Sequence, residues 1–137
     1  MRTQVRNRRR AFAWRREDRG FASVEFAVLA LVVLGLVFTC IQVGLYFHAR
    51  KVAQSAARQG AEAGRAFGSR EGDDVAQAQA FLDRFGDSVR GASVSSAGST
   101  AQEIRITVRG SVATLVPGLE LHITQHADAP IERWTNP

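Results

Sequence analysis

A single cysteine, Cys40, stands in the whole chain, which excludes an intrachain disulfide framework and a multi-cysteine zinc site. Proline is absent before Pro117, so nothing upstream of it forces a helix to kink or stop. Charge is absent from Phe26 to Phe47, twenty-two residues reading FAVLALVVLGLVFTCIQVGLYF, in which only Thr39, Gln42 and Tyr46 are clearly polar. Carboxylates are scarce at the start, where residues 1–20 hold eight Arg against only Glu17 and Asp18. No Ser-His-Asp set, Gly-rich phosphate loop or paired carboxylates can be read, so we expect no enzyme, no catalytic residue and no cofactor. At 137 residues the chain has room for one domain and little more, which excludes a large multidomain enzyme.

The net charge of +5 is an uneven one, because the Arg-rich head carries +6 and the rest sums to −1. A basic head of this kind has two readings. It retains the N-terminus in the cytoplasm beside a membrane segment, or it binds nucleic acid. The first accounts for Arg2, Arg6, Arg8, Arg9, Arg10, Arg15, Arg16 and Arg19 without a ligand, so no nucleic-acid partner is expected.

As a helix the uncharged run is ~33 Å long, enough to cross a hydrocarbon core of about 30 Å. It is longer than the apolar part of a removable secretory signal, and no A-x-A cleavage site closes it. The expected architecture is a transmembrane helix over 21–48, its N-terminus cytoplasmic and the following 49–137 on the far side of the membrane. His48 falls at the outer boundary beside the aromatic anchors Tyr46 and Phe47. Cys40, inside the span, reads as a small apolar residue, with lipidation or an interchain disulfide as the alternative.

Glu25 abuts the apolar run, flanked by Phe21, Ala22, Val24 and Phe26. A carboxylate at such a place is either solvated at the interface or kept for a named partner. Basic residues, then Gly20, then Phe21-Ala22-Ser23-Val24-Glu25-Phe26 and an unbroken apolar helix resemble the class III signal of type IV pilins. More narrowly, Arg19 to about Gly68 resembles the TadE-like pseudopilins of tight-adherence (Flp) pilus systems, with a late acidic residue, Glu132, in the weaker remainder.

That resemblance implies cleavage by a prepilin peptidase between Gly20 and Phe21, which removes a leader over 1–20 and makes Glu25 the fifth mature residue. It implies a minor pseudopilin of the inner membrane, working with other pseudopilins, the pilin and the assembly machinery. An uncleaved, signal-anchored binding domain is the alternative. The residue types have their own physical reasons. Gly20 has no side chain to obstruct a protease, and the α-amine freed at Phe21 would be a counter-ion for Glu25 at the same membrane depth.

Beyond Phe47 the residues are strong helix formers. Ala49, Ala53, Ala56, Gly60, Ala63 and Phe67 recur at spacings of 4, 3, 4, 3 and 4, and Gly64 adds a second small-xxx-small step. This seam over 49–67 packs either on the chain's own small domain or on helices of neighbouring subunits. In the second case residues 49–137 would be only marginally stable alone.

Gly68, Ser69 and Gly72 end the helix, and Asp73 or Asp74 is expected to cap another at 74–85 that Gly86 closes. Period-2 alternation predicts strands at about 91–95, 102–115 and 119–126, the last two joined by a Pro117-Gly118 turn. The fold class is therefore α+β, a long N-terminal helix followed by a short helix and a small antiparallel sheet. His122 and His126, four apart on a strand, would lie ~13 Å from one another, which favours surface histidines over metal ligands. From Ala129 to Pro137 a loose tail is expected.

Overall fold

A computed structural model describes residues 8–66 and 68–131, with side chains from Gly20 onward. Helix α1 covers Arg8–Arg65 and α2 covers Asp73–Arg84; a single 3-10 turn at Gly86–Ser88 then leads into the strands. These are β1 (Arg90–Ser95), β2 (Glu103–Val112) and β3 (Leu121–Pro130), antiparallel in the order β1-β2-β3. The class is α+β, as the alternation of periods predicts. The chain divides into two units, 1–40 and 41–137.

The described residues of the first unit are helix, and among the described residues its large apolar side chains are uncovered: Phe21, Phe26 and Leu31 are 69–79% exposed. A helix this long and apolar can cross a membrane by length and composition. Together with the uncovered side chains, this supports a membrane-anchored, single-pass protein.

The second unit holds the core. Inward residues of the sheet alternate along the strands, pairing Ile104 with Ala129, Ile106 with Ala127 and Val112 with Leu121 across β2 and β3. Ile106 and Val108 are fully buried. Against them lie Ala49, Val52, Ala53, Ala56, Ala57 and Ala61 of α1 and Ala78 and Leu82 of α2. Small residues on α1 allow this approach. A Cβ added at Gly60 would meet the Asp74 carbonyl oxygen at 2.7 Å and the Ala78 Cβ at 2.9 Å. One at Gly64 would meet the Asp74 Cβ at 2.9 Å and Ile104 Cγ2 at 3.1 Å.

The seam is thus occupied by the chain's own α2 and sheet. Of its two readings, the packing of its buried residues on α2 and the sheet favours the first. Ala49, Ala53, Ala56 and Gly60 are buried and Ala63 and Gly64 half-buried; Phe67 lies outside the described residues.

Boundaries differ where local hydrogen bonds intervene. Neither Asp73 nor Asp74 caps α2, because Gly72, at φ 93°, takes the cap position without a side-chain bond. Asp73 Oδ2 instead accepts the Arg70 N–H at 2.8 Å, and both aspartates sit in the first turn, where the helix dipole favours them. Strand β2 stops at Val112 and β3 begins at Leu121, since the residues between them form a turn. Its Leu119 N–H donates to the Val116 carbonyl at 3.2 Å, with Gly118 at φ 82°.

At its other end β3 runs to Pro130, where a tail was expected. Glu103 pairs with Pro130, and Ala129 is buried behind Ile104. The strand continues because Ala127 and Ala129 keep the inward register with small side chains. Glu132 lies outside the described residues.

Candidate functional site

Gly20, Phe21 and Glu25 all lie on α1, in the first unit. At 3.6 residues per turn, Phe21, Val24, Glu25, Val28, Leu29 and Val32 share one face, where they line a shallow groove. Glu25 is the one ionisable group in that stripe, and its side chain is exposed. Among the described residues, no hydrogen bond or ion pair engages its carboxylate. Gly20 has no neighbour within 4 Å of where a Cβ would stand, so the bond to Phe21 is open on its side-chain face. The three processing and assembly candidates therefore come together within two turns of one helix. The seam residues belong to the other unit and serve its core.

The sheet's outer face carries the polar residues of the alternation. Arg105 makes a two-pronged contact with Asp128, Nε to Oδ1 at 2.6 Å and Nη2 to Oδ2 at 3.0 Å. The guanidinium hydrogen bond, with its charge, holds the Asp128 carboxyl below the usual carboxylate range, and the same bond raises Arg105. His122 and His126 are both exposed on β3, with His122 Nε2 3.9 Å from Glu120 Oε2. Among the described residues no group of three or more His, Cys, Asp or Glu could hold a metal ion.

In the sequence Gln42 is only a polar interruption of the apolar run. In the structure its side chain reaches the β2–β3 loop. Gln42 Nε2 donates to the Ala113 carbonyl at 3.3 Å, and Gln42 Oε1 accepts the Leu115 N–H at 2.9 Å. An amide in an apolar helix is itself the available signal, because such a group needs a partner. Its partner lies 71 residues away and could not be read. His48 also acquires a neighbour, with its Nε2 3.5 Å from Ser88 Oγ. Cys40 is exposed and carries a free thiol.

No curated protein and no solved structure matches the chain. A family model does, and it falls on the helix just described, from the open glycine through the carboxylate and the apolar run to the start of the core. That family associates the chain with tight-adherence pilus systems. Residues 20–62 match the model of TadE-like proteins.

Proposed function

We propose that the protein is a minor pseudopilin, an accessory subunit in the assembly of tight-adherence pili. One observation carries the reading. Glu25 stands as a lone carboxylate in an apolar helical stripe, five positions after an unobstructed Gly20. A prepilin peptidase would hydrolyse the Gly20–Phe21 bond on the cytoplasmic face, leaving the basic leader with a new carboxylate and the membrane chain with a new α-amine.

The bond lies within α1, so cleavage requires the helix to open locally. Glycine is the residue at which opening is easiest, since it is about 1 kcal/mol less helix-favouring than alanine. The Phe21 amine then sits one turn from Glu25, where the two charges pair within a chain or between neighbours. A low local dielectric strengthens that pairing. Prepilin peptidase, other pseudopilins, the pilin and the membrane assembly machinery are the implied partners. Because the seam is filled, contacts with them fall on the exposed apolar face before Cys40 and on the outer surface of the second unit.

The test is N-terminal sequencing of membrane protein from cells co-expressing a prepilin peptidase. Sequence beginning at Phe21 supports the reading. An intact Met1 under those conditions would overturn it and leave the uncleaved, signal-anchored binding domain.

A further inference from the structure

The β2–β3 loop is an apolar projection tied to the apolar run of α1. From Val112 to Leu119 the sequence reads VATLVPGL, with no charge. Leu115, Val116 and Leu119 are 41–53% exposed, and so on the same unit are Ile41, Val43 and Phe47 of the helix at 46–53%. The second unit thus exposes large apolar side chains on both the helix and the loop.

Gln42 sets the level of the loop. Its amide holds both Ala113 and Leu115. Five residues separate Gln42 from Phe47, the end of the uncharged run. That is ~7.5 Å along the helix axis, within the roughly 5–10 Å to which interfacial apolar faces sink below the headgroups.

Backbone at such a depth must satisfy its polar groups internally. The loop satisfies several of its polar groups in this way. The Leu115 N–H goes to Gln42 and the Leu119 N–H to Val116, while the Thr114 hydroxyl donates to the Leu119 carbonyl at 2.8 Å. Pro117 has no N–H to satisfy.

We propose that this loop is a second membrane contact. Leu115, Val116 and Leu119 insert into the lipid interface beside α1 on the side of the bilayer where the second unit lies. Lipid is the occupant because the loop is apolar and exposed and is hydrogen-bonded to Gln42, a residue inside the uncharged run of a helix long and apolar enough to cross the bilayer. The insertion seats the sheet directly on the membrane surface. It rests on α1 spanning the bilayer and not on the pseudopilin role.

The experiment places an environment-sensitive fluorophore on single cysteines in the full-length Cys40→Ser chain. The chain is reconstituted in phosphatidylethanolamine and phosphatidylglycerol vesicles containing brominated lipids. Labelled positions are Phe38→Cys within the span, Thr124→Cys on the exposed outer face of the sheet, and Val116→Cys and Leu119→Cys as two independent loop sites. The Phe38 label is quenched by bromines deep in the acyl chains, establishing insertion. Labels at Val116 and Leu119 are quenched by bromines near the headgroups and are shielded from aqueous iodide. The Thr124 label shows the reverse. Loop labels as open to iodide as the Thr124 label, in protein whose Phe38 label is buried, would overturn the proposal. So would loop labels shielded from both quenchers and crosslinking between chains, which would assign the surface to a second copy. A Phe38 label open to iodide would remove the span and the loop contact with it.

Discussion

Substituting Gly60 by alanine separates intrachain packing from packing held in reserve for a partner. The added methyl would stand 2.7 Å from the Asp74 carbonyl oxygen, 2.9 Å from the Ala78 Cβ and 3.3 Å from Ile106 Cγ2. The first of these atoms is backbone and the second is fixed to it, so neither can rotate away. Restoring ordinary contact needs α1 and α2 to part by about 0.7 Å or more, given optimal nonbonded separations of about 3.5 Å. Overpacking of this kind costs about 1–3 kcal/mol, and the gain in helix propensity from glycine to alanine returns about 1 kcal/mol. The net expectation is a loss of up to about 2 kcal/mol, which corresponds to a factor of up to about 30 in the unfolding equilibrium.

Hydrogen exchange of α2 and β2 amides, measured on the full chain in detergent, reads the second unit apart from the membrane helix. Gly60→Ala should exchange faster there by that factor. Gly44→Ala is the control, because nothing lies within 4 Å of a Cβ at that position. Exchange in Gly60→Ala as slow as in wild type, together with impaired assembly, would show that the seam faces another molecule and would refute the packing described above.

Glu25→Ala should still insert and still be processed, yet fail to join its partners. Removing one member of a fully buried ion pair costs about 3–5 kcal/mol, and half of that weakens association more than tenfold. Normal pilus yield from fully processed Glu25→Ala protein would return the carboxylate to simple interfacial solvation. The Arg105–Asp128 pair predicts an acid dependence. Asp128 is depressed in the folded state, so its contribution is present above the ordinary carboxylate value of about 4 and fades as pH falls through the lower folded value. Asp128→Asn should therefore unfold at lower urea than wild type at neutral pH, with the gap closing in acid; a gap constant from neutral pH to strong acid would exclude this contact as its source.

The helices and the sheet were legible because their periods are strong. An uncharged run of twenty-two residues, an alanine-rich seam and Ile104-Ile106-Val108 alternating with charged neighbours leave few competing structures. Gly20, Phe21 and Glu25 were legible as a spacing beside a membrane segment, and the structure adds that Glu25 lies alone in an apolar stripe. What the seam packs against was not legible. A 4-3-4 rhythm of small residues says that something approaches closely and is silent on which chain supplies it.

The end of β3 was missed because Ala127 and Ala129 carry little strand signal, and their burial depends on pairing with Ile106 and Ile104. The cap of α2 was misread because two aspartates outweigh a glycine on propensity, whereas the left-handed turn at Gly72 decides where the helix starts. The Gln42 contact needed the tertiary fold.

Seven of the fourteen buried apolar residues among those described are alanines. Alanine loses no rotamer freedom on burial, so α1 docks at little entropic expense. It also hides little hydrocarbon from water, and the heat-capacity change of unfolding follows the apolar area exposed. A domain closed by backbone proximity more than by large side chains should therefore have a shallow stability curve. Its free energy of unfolding would be modest at its maximum and would decline slowly on either side. The same chemistry that allows two helices and a sheet to meet so closely makes the domain comparatively indifferent to temperature.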